Sequence, residues 1–264
     1  GGSNVVFPDE GLDCLLIQMK GGAIKVVSCK LIVDSGVLLG DVITKAISLG
    51  LQGLETLSGI PGTVGGAMFG NAGAYGHSMK EIIEKVEIYD LNSGRRRWFT
   101  NKQCGFGYRD SVFKRGTDAK RNAEQTQNFI LLRVALRLKK GDKKKLEKIS
   151  RDIIKIREKK YKPGLRCPGS FFKNVLVKDV DGTVLEKINQ KKIIEGKIPA
   201  GYLLEEVGAK GMRVGGIYIA DFHGNLFVND GKGTAEGVKR LARILKKKVR
   251  ERFGIELEEE VRYF

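Results

Sequence analysis

Histidine, cysteine and long apolar runs are all scarce in this 264-residue chain, and each scarcity closes off a class of function. The two histidines, His77 and His223, cannot build a His-rich metal site or an H-E-x-x-H helix, so no metal is expected. The four cysteines, Cys14, Cys29, Cys104 and Cys167, form no C-x-x-C pair. They read as reduced thiols of a cytoplasmic protein and exclude a disulfide framework. No uninterrupted apolar run approaches the roughly 18 residues of a membrane span, so a soluble chain without a membrane partner is expected. The first residues, GGSNVVFPDE, lack an initiator methionine and the charged and apolar regions of a signal peptide, and read as a truncated N-terminus.

Acidic residues are also in deficit, 31 against 48 basic ones, for a formal net charge of +17. Such a charge attracts nucleic acid, but equally nucleotide-sugars and dinucleotide cofactors. The basic residues gather in LKKGDKKKLEKISRDIIKIREKK and VKRLARILKKKVRER, where apolar positions trace one helical stripe. Neither stretch interleaves aromatic rings with its charges as a single-strand stacking platform does. Both read as solvated faces, with RNA or DNA binding as the competing reading.

Alternation of Ile130, Leu132, Val134, Leu136 and Leu138, with Arg133 and Arg137 opposite, predicts a half-buried strand. KVEIYD and RRRWFT around LNSG predict a hairpin, AIKVVSCKLIV one or two strands, and LGDVITKAISLG a helix closed by Gly50. Leu146, Ile149, Ile153 and Ile156 predict a second helix, ended by Tyr161-Lys-Pro-Gly. Beyond it come a short strand near SFFKNVLV, a helix around YLLEEVG, strands in GGIYIAD and NLFVND, and a long helix capped by Thr234 and ended by Gly254. The fold class is α+β. The domain reading runs from residue 1 to 140, through a connecting helix at 141–160, to a second domain at 161–254 and a C-terminal segment at 255–264.

Two glycine-rich stretches invite comparison with phosphate-binding loops. GKGTAEG, Gly231 to Gly237, has the wrong glycine spacing for a dinucleotide fingerprint and reads as a turn with a helix cap. SGIPGTVGGAMFGNAGAY carries six glycines in eighteen residues. A backbone so bare can aim several N–H groups at one anion, and a glycine-rich surface loop is the competing reading.

With Gly76, that segment resembles the flavin-binding signature of UDP-N-acetylenolpyruvoylglucosamine reductases. CGFGYRDSVFK, PGSFFKNV and ELEEEVR match further family motifs in the same order, so the resemblance covers essentially the whole chain. It implies a FAD-binding domain of the vanillyl-alcohol oxidase type, incomplete at its N-terminus, followed by an α+β substrate-binding domain. The cofactors implied are FAD and NADPH, and the substrate is UDP-N-acetylglucosamine enolpyruvate, reduced to UDP-N-acetylmuramate by a monomer. Flavin would lie on Gly59, Ile60, Pro61, Gly62, Thr63, Gly65, Gly66, Asn71, Gly73, Ala74, Tyr75 and Gly76. Gly2, Ser3 and Asn4 match the end of the family's other flavin loop.

By the same resemblance Arg109 would hold the substrate carboxylate, Ser170 would protonate the α-carbon, and Glu260 would assist at the carboxylate. Tyr108, Asn174 and His223 would contact substrate, His223 being equally readable as a structural histidine. The family's usual proline before its glutamate motif is Glu259 here, the long tyrosine loop is absent, and residues 178–199 form an insertion without a counterpart. Another flavoprotein of the same domain type, acting on an alcohol or hydroxy acid, explains the glycines but not Arg109, Ser170 and Glu260 in these motifs.

Overall fold

The computed structural model describes residues 2–116, 129–162 and 164–264. Gly1, where the first domain reading begins, and Pro163 of the helix-ending motif lie outside them. Contacts divide the chain into two compact units, one spanning Leu16–Lys159 and the other combining Gly2–Leu15 with Lys160–Phe264. Residues 2–15, read with the first domain from sequence, thus group with the second.

The first unit is built on a five-stranded antiparallel sheet. Its strands are β1 (Ile24–Val27), β2 (Lys30–Asp34), β3 (Ile83–Asp90), β4 (Arg95–Thr100) and β5 (Phe129–Arg137), in the order β1-β2-β5-β3-β4. The expected alternation holds from Val134 through Leu136 to Leu138, but a register shift between Glu87 and Ile88 breaks it further up β5, where Leu131 and Phe129, not Leu132 and Ile130, pack against the core. Val33, Val134 and Val86 stand in one register row and are fully buried. The adjacent row, Asp34, Arg133 and Glu87, faces the other way, and Arg133 pairs with Glu87 at 2.7 Å.

Helix α1 (Leu39–Ser48) buries Leu39, Val42, Ile43, Ala46 and Ile47, the spacing of one apolar stripe, and Gly50 follows with a left-handed φ of 64°. The long basic helix α4 (Lys143–Lys160) buries Leu146 and Ile153 but leaves Ile149 and Ile156 exposed, so only half of its expected stripe is covered. Two shorter helices, α2 (Val64–Phe69) and α3 (Val112–Arg115), carry the flavin and arginine motifs.

The second unit holds a three-stranded antiparallel sheet, β6 (Arg213–Val214), β7 (Ile217–Ile219) and β8 (Phe227–Asn229), with helices α5 (Ala200–Glu206) and α6 (Ala235–Phe253). Helix α6 buries Leu241, Leu245, Val249 and Phe253 along one face and turns its lysines and arginines outward. Its Thr234 side chain accepts from Gly237 N–H, and Gly254 ends it at φ 77°, as the sequence indicates. The GKGTAEG stretch is therefore a turn and cap. The Asp9 carboxylate accepts from Ala235 N–H at 2.8 Å, placing a negative charge at the positive end of the helix. Val5–Val6 pairs in parallel with Arg262–Tyr263, which ties the N-terminal segment into this unit. The insertion 178–199 consists of single helical turns closed by a ladder of Val175–Leu176 with Lys197–Ile198, and it contributes Ile188 and Ile198 to the core.

Candidate functional site

The glycine segment is not one loop. It turns through Gly59 (φ 74°) and Gly62 (φ 105°) into helix α2, which contains Gly65 and Gly66, and ends in a tight hairpin. There Tyr75 (φ 51°) and Gly76 (φ 80°) join Gly73–Ala74 to His77–Ser78. Most of its glycines answer to the chain itself. A Cβ on Gly65 would stand 2.9 Å from Ser35 Cβ, and one on Gly73 would stand 2.5 Å from the His77 carbonyl oxygen. Amides of α2 are likewise engaged: Val64 donates to Val37, Gly65 to Ser35 and Gly66 to the Thr63 hydroxyl. The expectation of several N–H groups aimed at one anion is corrected for these three.

Gly66 differs. It is exposed, and the nearest atom to a Cβ there would be Thr63 Oγ1 at 3.8 Å, so the fold does not require this glycine. Against the preceding Gly65, Ser35 is 2% exposed and its Oγ has no hydrogen-bond partner among the described residues. A bare exposed turn of helix and a buried hydroxyl without a partner fit a group lying over α2, as a dinucleotide flavin would. Ile60 packs partly on the core and Pro61 is exposed.

Asn71, buried at φ 43°, donates to the Gly107 carbonyl at 2.6 Å and accepts from Lys80 N–H at 3.0 Å, so its amide fastens the glycine segment to the arginine motif. Arg109 itself has a left-handed φ of 53°. An arginine adopts that backbone only where surroundings hold it, and a Gly107–Asp110 bridge, the Asp110–Arg115 ion pair and the Lys114 ammonium on the Arg109 carbonyl do so. Its guanidinium lies 5.6 Å over the Tyr108 ring, and a Cβ on Gly73 would come within 3.2 Å of its Nη1. The absence of a side chain at Gly73 leaves the arginine its place.

Ser170 and Glu260 belong to the second unit, where a short extended segment brings their backbones together. Ser170 bridges Leu226, Phe171 N–H donates to the Asn225 carbonyl, and Glu260 N–H donates to the Phe171 carbonyl at 2.7 Å. The Asn225 side chain completes the clamp, accepting from Phe172 N–H and donating to the Phe172 carbonyl, both at 2.8 Å. Phe171 stacks on Phe227 with centroids 3.7 Å apart, and both rings are buried. Lys173 pairs with Glu258 on the same ladder. Asn4 donates to the Glu260 carbonyl at 3.0 Å, so Gly2, Ser3 and Asn4 run beside the glutamate segment within this unit.

Asn174 accepts from Ala200 N–H at 3.2 Å, at the start of α5, and His223 lies near the same turn, 3.4 Å from where a Gly201 Cβ would be. His223 Nδ1 accepts from Asn225 N–H at 3.1 Å, which leaves the proton on Nε2. Burial, and then Lys160, push its pKa down to about 4, so the ring is neutral at pH 7. Sequence reasoning missed Asn225, which clamps the serine segment, and Tyr161, whose hydroxyl lies 3.2 Å from Ser170 Oγ. No group of three or more potential metal ligands occurs among the described residues.

Residues 1–100 match the family model described as a FAD binding domain, and residues 161–264 match that of the UDP-N-acetylenolpyruvoylglucosamine reductase C-terminal domain. The reductase of Solibacter usitatus is 42% identical over 100% of this chain and 80% of its own length. That of Thermotoga maritima is 33% identical over 98% and 81%. The crystal structure of the Thermus caldophilus enzyme aligns with a TM-score of 0.71 and 30% identity, covering 100% of this chain and 83% of that one. The chain belongs to the UDP-N-acetylenolpyruvoylglucosamine reductase family. Members of this family are flavin oxidoreductases of peptidoglycan precursor synthesis that use FAD and NADPH, and this chain carries both of their domains. No helix among the described residues is long and apolar enough to cross a membrane.

Proposed function

We propose that the chain reduces the enolpyruvyl group of UDP-N-acetylglucosamine enolpyruvate, with Arg109, Ser170 and Glu260 as its catalytic residues. The observation that carries the assignment is the Glu260 N–H bond to the carbonyl of Phe171, the residue that follows Ser170 in the chain. The turn from Gly59 to Gly66 would hold the flavin, which when bound supplies the hydride it has taken from NADPH. Arg109 grips the substrate carboxylate with its planar fork, and that grip tightens as charge gathers on the carboxylate after hydride reaches the methylene carbon. Ser170 then gives its proton to the α-carbon. A serine hydroxyl is a weak acid, so the step depends on its being held against a carbanion-like centre by the rigid Phe171–Asn225 backbone. Glu260 beside a carboxylate requires a shared proton or hydrogen bond.

Tyr108 supports the arginine, while Asn174 and His223 line the nucleotide-sugar side, His223 as an Nε2–H donor. A monomer in the cytoplasm goes with this reading. In anaerobic stopped flow, Ser170→Ala is expected to accept reduction by NADPH at the parent rate. Its reoxidation by the enolpyruvyl nucleotide should slow by about 100-fold or more. Reoxidation at the parent rate would remove Ser170 from the mechanism.

A further inference from the structure

The hydroxyls of Tyr161 and Ser170 lie 3.2 Å apart, and either can donate to the other. Neither position is accidental. The Tyr161 ring packs with Leu165 and Cys167 against Ala220, Leu226 and Val228, while Ser170 is bridged through its backbone to that same Leu226. Both side chains are therefore anchored on one small apolar patch, and the phenol is held with two stiff torsions rather than on a mobile chain. The Lys160 ammonium stands 5.1 Å from the Tyr161 ring centroid.

We propose that Tyr161 returns a proton to Ser170, so that the two hydroxyls act as a relay behind the carbon being protonated. The inference rests on the assignment of Ser170 as the proton donor. If Ser170 gave up its proton alone, the serine O–H bond would break, a C–H bond would form at the substrate α-carbon and an alkoxide would be left in a half-buried position, so the two proton transfers are coupled in one step. An unpartnered alkoxide there is costly. The phenol within hydrogen-bonding distance removes that cost: its O–H bond breaks, the serine O–H bond re-forms, and the negative charge passes to a phenolate. A phenol is a far stronger acid than an aliphatic alcohol, so this transfer runs downhill. The half-exposed ring recovers its proton from bulk water. No oxidant, reductant or further reactant is needed. Tyr161 touches Ser170 rather than substrate and acts through it.

Tyr161→Phe keeps the ring and its packing while removing the hydroxyl. Expected results are unchanged reduction by NADPH, unchanged affinity for the enolpyruvyl nucleotide by calorimetry, and reoxidation slowed by about 10- to 100-fold. A proton inventory of the reoxidation step, measured in mixtures of light and heavy water, should be bowed in the parent protein because two protons move, and linear in the variant. A merely structural tyrosine would alter neither the curvature nor the rate at constant affinity. The Tyr161→Phe, Ser170→Ala double variant should be no slower than Ser170→Ala alone. If Ser170→Ala slows reoxidation but Tyr161→Phe keeps the parent rate and bowed inventory, the relay is overturned and the serine assignment stands. If Ser170→Ala reoxidises at the parent rate, the serine assignment fails and the relay with it.

Discussion

His223 shows how a single side chain acquires its role from surroundings that its sequence neighbours do not disclose. Burial and Lys160 hold its folded pKa at about 4, below the ordinary histidine value of 6.5. Between those two values the unfolded chain binds more protons than the folded one, so stability is complete above about pH 6.5 and falls as pH drops towards 4. The loss should be about 1–2 kcal/mol once screening of a partly exposed ring is allowed for. Denaturant titrations at pH 7 and pH 4.5 should show a smaller difference for His223→Gln than for the parent. Cys104 is a second case: burial raises its thiol to about 12 and leaves it inert, whereas Cys14 is exposed. A thiol reagent is expected to label Cys14 first and Cys104 only on unfolding. Ser170, Arg109 and Glu260 could be proposed from sequence because each sits in a contiguous motif. Asn225 and Tyr161 could not, because the partners that define them lie 53 and 9 residues away in the chain.

At the scale of elements, the glycine segment separates two reasons for lacking a side chain. Gly66→Ala meets no neighbour within 3.8 Å and removes a poor helix former, so it should leave stability unchanged or raise it by up to about 1 kcal/mol while weakening flavin binding in a fluorescence titration. Gly73→Ala drives a methyl group to 2.5 Å from the His77 carbonyl oxygen and crowds Arg109, and should cost about 2 kcal/mol. If flavin affinity is untouched in Gly66→Ala, that face of α2 does not carry the cofactor. Helix α2 escaped the sequence reading because glycines argue against a helix, whereas here Thr63 caps it and its first amides donate to the Val37 and Ser35 carbonyls. The caps of α6 and the end of α1 were legible, since Thr234, Gly254 and Gly50 supply their signal locally. The stripe of α4 was read correctly as a periodicity, yet Ile149 and Ile156 stay exposed, because a period identifies a face without identifying what covers it.

On the scale of the molecule, chain order and spatial grouping part company at the N-terminus. Residues 2–15 join the C-terminal unit through the Val5–Val6 ladder with Arg262–Tyr263 and the Asp9 carboxylate at the start of α6. Their removal is expected to lower the unfolding transition of that unit by calorimetry. The fluorescence transition of Trp98, the single tryptophan, belongs to the five-stranded sheet and should move less. Equal shifts in both signals would show that the segment does not act through the C-terminal unit. The net charge of +17 describes outward-facing lysines and arginines on amphipathic helices, and it says little about the fold.

The amino-acid sequence alone determined the elements with local signals: alternating strands, capped helices, the hairpin at LNSG, and the ordered motifs that carry the family chemistry. Those signals are contained in windows of a few residues, where backbone preference and side-chain periodicity operate. Only the tertiary structure decided that Glu260 bonds to the residue after Ser170, that the Tyr161 hydroxyl lies beside that of the serine, and which glycines serve the chain. Each of these depends on strands and side chains meeting from distant parts of the chain, where packing and hydrogen bonding, not local preference, set the outcome.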